Sequence, residues 1–205
     1  MTEAFLKQSY KLETVYHTRD YYRDWAASYD AEITENGYQT PRRCAQALAR
    51  HCDNPEASIL DIGCGTGLSG LAFRSAGFVN LSGNDLSQEM LDIAKTRDIY
   101  TNLTLADLNH PLDFAKGSFD VIAAVGVISV GHAPPTAIEQ MFDKLEPGGL
   151  FVFSINDASI ADGSFIPAVD RLLTRDNAQL CEAEYDVHLP KIDMKSYVYV
   201  IKKTT

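Results

Sequence analysis

Ser58-Ile-Leu-Asp61-Ile-Gly63-Cys64-Gly65-Thr66-Gly67-Leu68 decides the fold of this chain. Ile59, Leu60 and Ile62 read as a short strand, apolar on both sides as the strands of a parallel sheet are. Asp61 interrupts that run, and a carboxylate there costs free energy unless a hydrogen-bond donor or a positive group meets it. Three glycines follow at alternate positions. Without a Cβ they let the backbone turn sharply and approach a ligand closely. Leu68 to Ala76 then reads as a helix, with Gly77 as its C-cap. A strand, a glycine turn and a helix N-terminus converge on one point.

Two cofactor classes use such a point. Gly65-Thr-Gly67-Leu-Ser-Gly70 fits G-x-G-x-x-G, the signature of dinucleotide-binding domains. Asp61-x-Gly63-x-Gly65-x-Gly67 resembles the first motif of class I methyltransferases that use S-adenosylmethionine. A tight turn with no ligand is the purely structural alternative. The rest of the chain decides among them.

With 205 residues the natural expectation is one domain with a sizeable core. Hydrophobic residues make up 45% and charged residues 22%, the balance of a soluble globular protein. No apolar run approaches the roughly 18 residues that span a bilayer, and Met1 to Tyr10 has no signal-peptide core. Cys44, Cys52, Cys64 and Cys181 form no C-x-x-C pair and no zinc spacing, which suggests reduced thiols in a cytoplasmic protein. Cys64, inside the glycine turn, reads as a small packing residue and not as a nucleophile. The formal net charge of −10 argues against a nucleic-acid substrate, since polyanions need a basic footprint. No membrane partner is expected either, and the state expected is a monomer or homodimer.

Along the chain, residues 1 to 20 read as a loosely attached leader or short helix. Tyr22, Trp25, Tyr29 and Ile33 recur at helical spacing and give one aromatic face. That face is either a packing surface or a lid. Thr40 reads as an N-cap with Pro41 at the first helical position, and Cys44, Ala47 and Leu48 point inward. Val79 to Gly83 reads as a second strand leading into Asn84-Asp85-Leu86-Ser87, with Ser87 capping a helix from Gln88 to Arg97. Asp85 lies 18 residues past Gly67, near the distance at which an acid meets a ribose. The alternative for it is an acid favoured by a helix N-terminus. Leu103 to Leu108 reads as a third strand carrying Asp107 at its end, and Ser118 to Ala124 as a fourth. Pro135 to Leu145 is amphipathic, with Ile138, Met141, Phe142 and Leu145 on one face. Leu150 to Ile155 reads as a fifth strand and Phe165 to Thr174 as a helix. Glu182–His188 and Lys195–Ile201 alternate like two strands with no helix between them, so they form a hairpin.

Together these features resemble the class I methyltransferase family over residues 25 to 201. Besides the glycine motif, Trp25-x-x-x-Tyr29-Asp30 resembles the W-x-x-x-Y-D segment that covers the site in small-molecule members. Leu145-Glu-Pro-Gly-Gly-Leu150 resembles the turn before the fifth strand. A doubly wound dinucleotide domain would continue with further strand–helix units. The methyltransferase sheet closes with a hairpin, and a nicotinamide domain does not ask for Asp107.

The resemblance implies a Rossmann-like, doubly wound, seven-stranded sheet, mostly parallel with an antiparallel last strand, in a single domain. Residues 1–52 would be a helical lid and 53–205 the cofactor-binding core. It implies S-adenosylmethionine as cofactor, S-adenosylhomocysteine as product, and no metal. Cofactor contacts fall on Tyr29, Asp61, Gly63, Cys64, Gly65, Gly67, Leu68, Asp85 (ribose hydroxyls), Leu86, Asp107 (adenine amine), Leu108 (purine ring) and Val125. Tyr22, Trp25 and His132 fall on the acceptor side, with His132, Tyr29 and Asp30 as catalytic candidates. A lone histidine has a structural alternative as well. The expected acceptor is a small molecule. A nicotinamide oxidoreductase and a non-catalytic cofactor-binding protein are the competing readings.

Overall fold

The computed structural model describes residues 15–205 apart from 109 and 111, and the side chains of residues 15–20, 22–24 and 27 also fall outside it. The leader expected over residues 1 to 20 lies outside the described residues up to 14, and from 15 onward the chain is helical.

Two helices come first, α1 (Val15–Glu35) and α2 (Thr40–Ala49). Strand and helix then alternate: β1 (Ile59–Ile62), α3 (Leu68–Ser75), β2 (Leu81–Asp85), α4 (Gln88–Thr96), β3 (Asn102–Leu105), β4 (Val121–Ala124), α5 (Thr136–Asp143) and β5 (Leu150–Asn156). Two short helices, α6 (Asp157–Asp162) and α7 (Phe165–Leu173), precede β6 (Ala178–Leu189) and β7 (Met194–Lys203). The seven strands form one sheet in the order β3-β2-β1-β4-β5-β7-β6. β1 to β5 are parallel, and β7 runs antiparallel to both β5 and β6. This is the sheet expected from the sequence, closing hairpin included. Strand order reverses between β1 and β4, and open α/β sheets bind ligands outside the carboxyl ends of strands at such a point.

Alternation along each strand divides the core into two layers. Leu60, Ile62, Ile122, Phe151 and Phe153 face α5 and α7, whose Phe142, Val169 and Leu172 are fully buried against them. Ile59, Val121, Ala123 and Val152 face the other way, onto Cys44, Ala47 and Leu48 of α2 and Phe73 of α3. Asp61 therefore points into this second layer. A third, smaller cluster joins Trp25 and Ile33 of α1 to Leu189 at the end of β6, with Tyr21, Tyr29, Tyr38 and Leu68 against it.

Several boundaries differ from the sequence reading. β2 begins at Leu81, not Val79, and includes Asn84 and Asp85, because those residues pair with Ile62 and Leu105 of the flanking strands. β3 ends at Leu105 because its partner β2 ends at Asp85, which leaves Asp107 in the loop beyond it. Thr40 is not a helix cap: its side chain is buried and its Oγ1 meets His188 Nδ1 at 2.6 Å. Helix α6 was absent from the sequence reading. Its six residues carry no apolar repeat, and its start depends on the Asn156 side chain, which accepts from the Ser159 N–H at 3.0 Å.

Arg43 fastens α2 to the closing hairpin. Its guanidinium, buried in the core, donates to the backbone carbonyls of Glu184, Asp186, Val187 and Ser196 at 2.9–3.1 Å. Those carbonyls lie beside the register shift between Val187 and Leu189.

Candidate cofactor and acceptor site

The glycine turn takes its shape from backbone conformation. Gly63, Gly65 and Gly67 all have positive φ (65°, 55° and 91°), a region that side chains other than glycine rarely adopt. The environments of Gly63 and Gly65 differ. A Cβ on Gly63 would lie 2.4 Å from Val127 Cγ2, whereas a Cβ on Gly65 would meet nothing within 4 Å. Gly63 is closed against β4's exit, and Gly65 opens onto a cleft.

That cleft, about 830 Å³ with the space that opens to solvent, lies at the carboxyl edge of the sheet. It is lined by Gly63, Gly65, Asp85, Leu86, Asp107 and Leu108 from the glycine turn and the ends of β2 and β3, and by Tyr29, Tyr38, Val125, Gly126 and His132. Eight of the residues singled out from the sequence thus border one space, namely Gly63, Gly65, Asp85, Leu86, Asp107, Leu108, Val125 and His132, together with Tyr29 of α1.

Asp85 holds the turn as well as facing the cleft. One carboxylate oxygen accepts from Gly65 N–H at 2.8 Å and the other from Ser87 N–H at 2.9 Å. Burial raises its pKa, and the N–H groups of Ser87, Gly65 and Leu86 work against that rise. Each oxygen keeps a second lone pair for a ligand hydroxyl. Ser87 caps α4 as expected, accepting from Met90 N–H at 3.2 Å. The neighbouring Asn84 does related work, with Oδ1 accepting from Gly63 N–H at 3.2 Å and its carbonyl from Cys64 N–H at 2.8 Å.

His132 is half-buried, and desolvation lowers its pKa, so the ring is neutral at pH 7. Its Nδ1 lies 3.1 Å from the Val130 carbonyl and 2.9 Å from Ser129 Oγ. The carbonyl only accepts, whereas the Ser129 hydroxyl can donate to Nδ1 or accept from it, so the two contacts hold the ring in place under either tautomer.

Other residues picked from the sequence lie outside the cleft lining. Asp61 is fully buried beneath the turn, where its Oδ2 accepts from Ser69 Oγ and Tyr100 Oη at 2.6 Å each. Its Oδ1 is buried with no hydrogen-bond partner. Cys64 is buried and its thiol pKa is pushed well up by desolvation, which suits packing and not nucleophilic attack. Gly67 faces Arg97 and Tyr100, and Leu68 packs on the Trp25 cluster. Trp25 is 1% exposed, with Nε1 donating to Glu32 at 2.9 Å and its ring edge-on to Tyr29 at 4.7 Å. It stands behind Tyr29 and does not itself border the cleft. The Tyr22 side chain lies outside the described residues. Asp30 also stands outside the lining: Oδ1 accepts from Thr66 Oγ1 at 2.6 Å and Oδ2 pairs with Arg97.

Tyr38 was missed by sequence reasoning, because a lone tyrosine after Gly37 carries no motif. It borders the cleft, and a Cβ on Gly126 would come within 2.3 Å of its hydroxyl. Its ring stands edge-on to His188 at 5.1 Å, and burial drops the His188 pKa to about 4. The Arg97 guanidinium, which also donates to the Thr66 carbonyl, gave no signal either. Among the described residues there is no cluster of metal-ligating side chains and no helix long and apolar enough to cross a membrane.

The donor and acceptor set fits S-adenosylmethionine. Gly65 leaves room for close approach, Asp85 offers lone pairs to a ribose diol, and the orphan Asp61 Oδ1 is a buried acceptor suited to a positive group. The match to the methyltransferase-domain family covers residues 37–193. Human methyltransferase-like protein 27 is 37% identical over 133 residues, 63% of this chain and 54% of that protein. The probable 18S rRNA (guanine-N(7))-methyltransferase of Dictyostelium discoideum is 31% identical over 121 residues, 54% of this chain and 42% of that one. The chain thus spans about half the length of the curated relatives it matches. The crystal structure of an S-adenosylmethionine-dependent methyltransferase from Mesorhizobium loti shares the fold, with a TM-score of 0.58 at 17% identity, over 77% of this chain and 96% of that one. The nicotinamide reading falls away with these matches and with the antiparallel closing strand. This chain belongs to the class I, S-adenosylmethionine-dependent methyltransferases.

Proposed function

We propose that the chain transfers the methyl group of S-adenosylmethionine to a small-molecule acceptor. The observation that supports this best is that Gly65, Asp85 and Asp107 line the same cleft as Tyr29, Tyr38 and His132. The first set is the cofactor half: Asp85 takes the ribose hydroxyls, Asp107 the adenine amine, and Leu86 and Leu108 flank the purine. The second set is the acceptor half, at the exit of β4. When bound, the cofactor supplies a methyl group already activated on a sulfonium. The chain's own contribution is then proximity, alignment and exclusion of water. Tyr29 and Tyr38 exclude water over the reacting atoms. A protonated acceptor passes its proton to the His132 ring, whose lowered pKa keeps it neutral.

A small acceptor fits the net charge of −10, which disfavours a polyanion. A second reading draws on relatives named for guanine-N7 methylation of 18S rRNA. The deciding experiment incubates the protein with methyl-labelled cofactor and either a metabolite panel or total rRNA. Label in a metabolite supports the first reading. Label in RNA alone replaces it with the second, and cofactor binding with no transfer to any acceptor leaves a non-catalytic binding protein, as monomer or homodimer.

A further inference from the structure

Tyr38 lies in the short link between α1 and α2, and the closing hairpin grips that link at several points. Gln39 N–H donates to the His188 carbonyl at 3.0 Å. Thr40 Oγ1 meets His188 Nδ1 at 2.6 Å and Ser196 Oγ at 3.3 Å. A Cβ on Gly37 would come 2.9 Å from Pro190 Cγ, in the turn of the hairpin. The His188 ring, oriented by Thr40, stands edge-on to the Tyr38 ring. At the far end of that ring the hydroxyl reaches Gly126, just past β4. A Cβ on Gly126 would lie 2.3 Å from Oη but 3.6 Å from Cζ, so the hydroxyl is the atom that needs glycine there. One tyrosine thus spans from the closing hairpin to the exit of β4, and it borders the cleft along the way.

Strand order places the cleft residues in a row along the carboxyl edge of the sheet. Asp107 lies beyond β3, Asp85 ends β2, Gly65 lies beyond β1 and Gly126 beyond β4, in the order in which those strands are paired. Neighbouring strands lie about 5 Å apart. On the cofactor reading above, adenine at Asp107 and ribose at Asp85 put the sulfur and its methyl group further along the same row, towards Gly126 and the tyrosine seated on it.

We propose that Tyr38 is a specificity-determining residue, a wall that limits the size of the group carried on the cofactor's sulfur, and that His188 of the closing hairpin is a positioning residue acting through it. A larger group on the sulfur overlaps the ring unless the ring turns away. The edge-on contact with His188 and the seat on Gly126 both oppose that turn. The hairpin that completes the sheet thereby shapes the place where transfer occurs.

The test is calorimetry with S-adenosylmethionine, with S-adenosylhomocysteine, and with the analogue in which benzyl replaces methyl on the sulfonium. It is run on wild type, Tyr38→Ala, Tyr38→Phe and His188→Ala. Wild type should bind the benzyl analogue at least about tenfold more weakly than S-adenosylmethionine. Tyr38→Ala should bring the two within about threefold of each other while binding S-adenosylhomocysteine within about twofold of wild type. His188→Ala should move the ratio the same way by a smaller factor, and Tyr38→Phe, which keeps the ring, should leave it in place. A loss of stability alone weakens both sulfonium ligands alike and does not move their ratio. The same ratio in Tyr38→Ala as in wild type overturns the proposal. So does a fall in S-adenosylhomocysteine affinity in Tyr38→Phe, which would make the hydroxyl a cofactor contact. Should Tyr38→Ala fail to fold, an unmoved ratio in His188→Ala overturns it equally. If wild type binds neither S-adenosylmethionine nor S-adenosylhomocysteine, the cofactor reading itself fails and this proposal falls with it.

Discussion

Asp30 of α1 and Thr66 of the glycine turn are joined by a hydrogen bond of 2.6 Å from the threonine hydroxyl to the carboxylate. Arg97, at the end of α4, holds both, pairing with the Asp30 carboxylate and donating to the Thr66 carbonyl. The helix that carries Tyr29 is thereby locked to the turn that carries Gly65. Asp30→Ala is expected to release that lock. Amides of residues 21 to 35 should exchange faster in the variant, and cofactor affinity should fall about tenfold or more, the size of one charge-assisted contact. Equal exchange in both proteins would show that α1 is held by the Trp25 cluster alone.

Asp85→Ala is expected to affect the empty protein as well as the loaded one. The carboxylate satisfies Gly65 N–H and Ser87 N–H, so its removal strands two donors at roughly 1–3 kcal/mol each. A chain of this length then melts several degrees lower, at roughly 2–4 °C per kcal/mol. Cofactor affinity should drop about tenfold or more besides. A melting point unchanged without ligand would mean that water takes over both N–H groups.

Gly63→Ala and Gly65→Ala should fail differently. Both impose a positive φ on alanine, at about 1–2 kcal/mol. Gly63→Ala adds a 2.4 Å clash with Val127, so its main loss is thermal stability. Gly65→Ala meets open space, so it should fold with a modest loss and bind cofactor at least about tenfold more weakly, because its methyl occupies the approach path. Thermal melts and calorimetry on the two variants separate these outcomes.

Asp61 gives a pH signature to the ligand-free fold. Its carboxyl is raised from 3.8 to about 6, so the native state binds the proton more tightly than the unfolded chain. The ionised form therefore opposes folding above about pH 6, and that opposition is relieved as pH falls from about 6 towards 3.8. The full span is about 3 kcal/mol at 1.36 kcal/mol per pKa unit. Asp61→Asn should accordingly be most favourable, relative to wild type, at pH 7 and above, and lose that advantage by about pH 4. Melting temperatures measured against pH for both proteins check this, and parallel curves would contradict it.

The sheet was legible because its signals are local. Apolar runs at Ile59–Ile62 and Leu150–Ile155, and two alternating runs without a helix between them, specify parallel centre strands and an antiparallel close. Part of the cleft lining was legible because it lies on consecutive strand ends, so Gly65, Asp85 and Asp107 announce themselves by position. Tyr38, Tyr100 and Arg97 did not. Each acts across the fold, where the chain brings distant segments together, and no spacing rule connects Tyr100 to Asp61. The W-x-x-x-Y-D segment shows the same limit: it marks the helix correctly, but only packing reveals that Tyr29 faces the cleft, Trp25 supports it from behind and Asp30 turns away to Thr66.

Arg43 imposes an order on synthesis. Its side chain leaves the ribosome early, yet every carbonyl it grips belongs to residues 141 to 153 positions later. Thr40 waits for His188 across 148 positions. A nascent chain can close β1 against β2 and β4 while the remainder is still being made, but Arg43 of α2 and the neighbouring Tyr38 lack their hairpin partners until it emerges. Until then the growing chain carries a buried-type guanidinium without its partners. Ribosome-bound intermediates stalled before residue 184 should expose this segment to protease and to chaperones that read unpaired apolar surface.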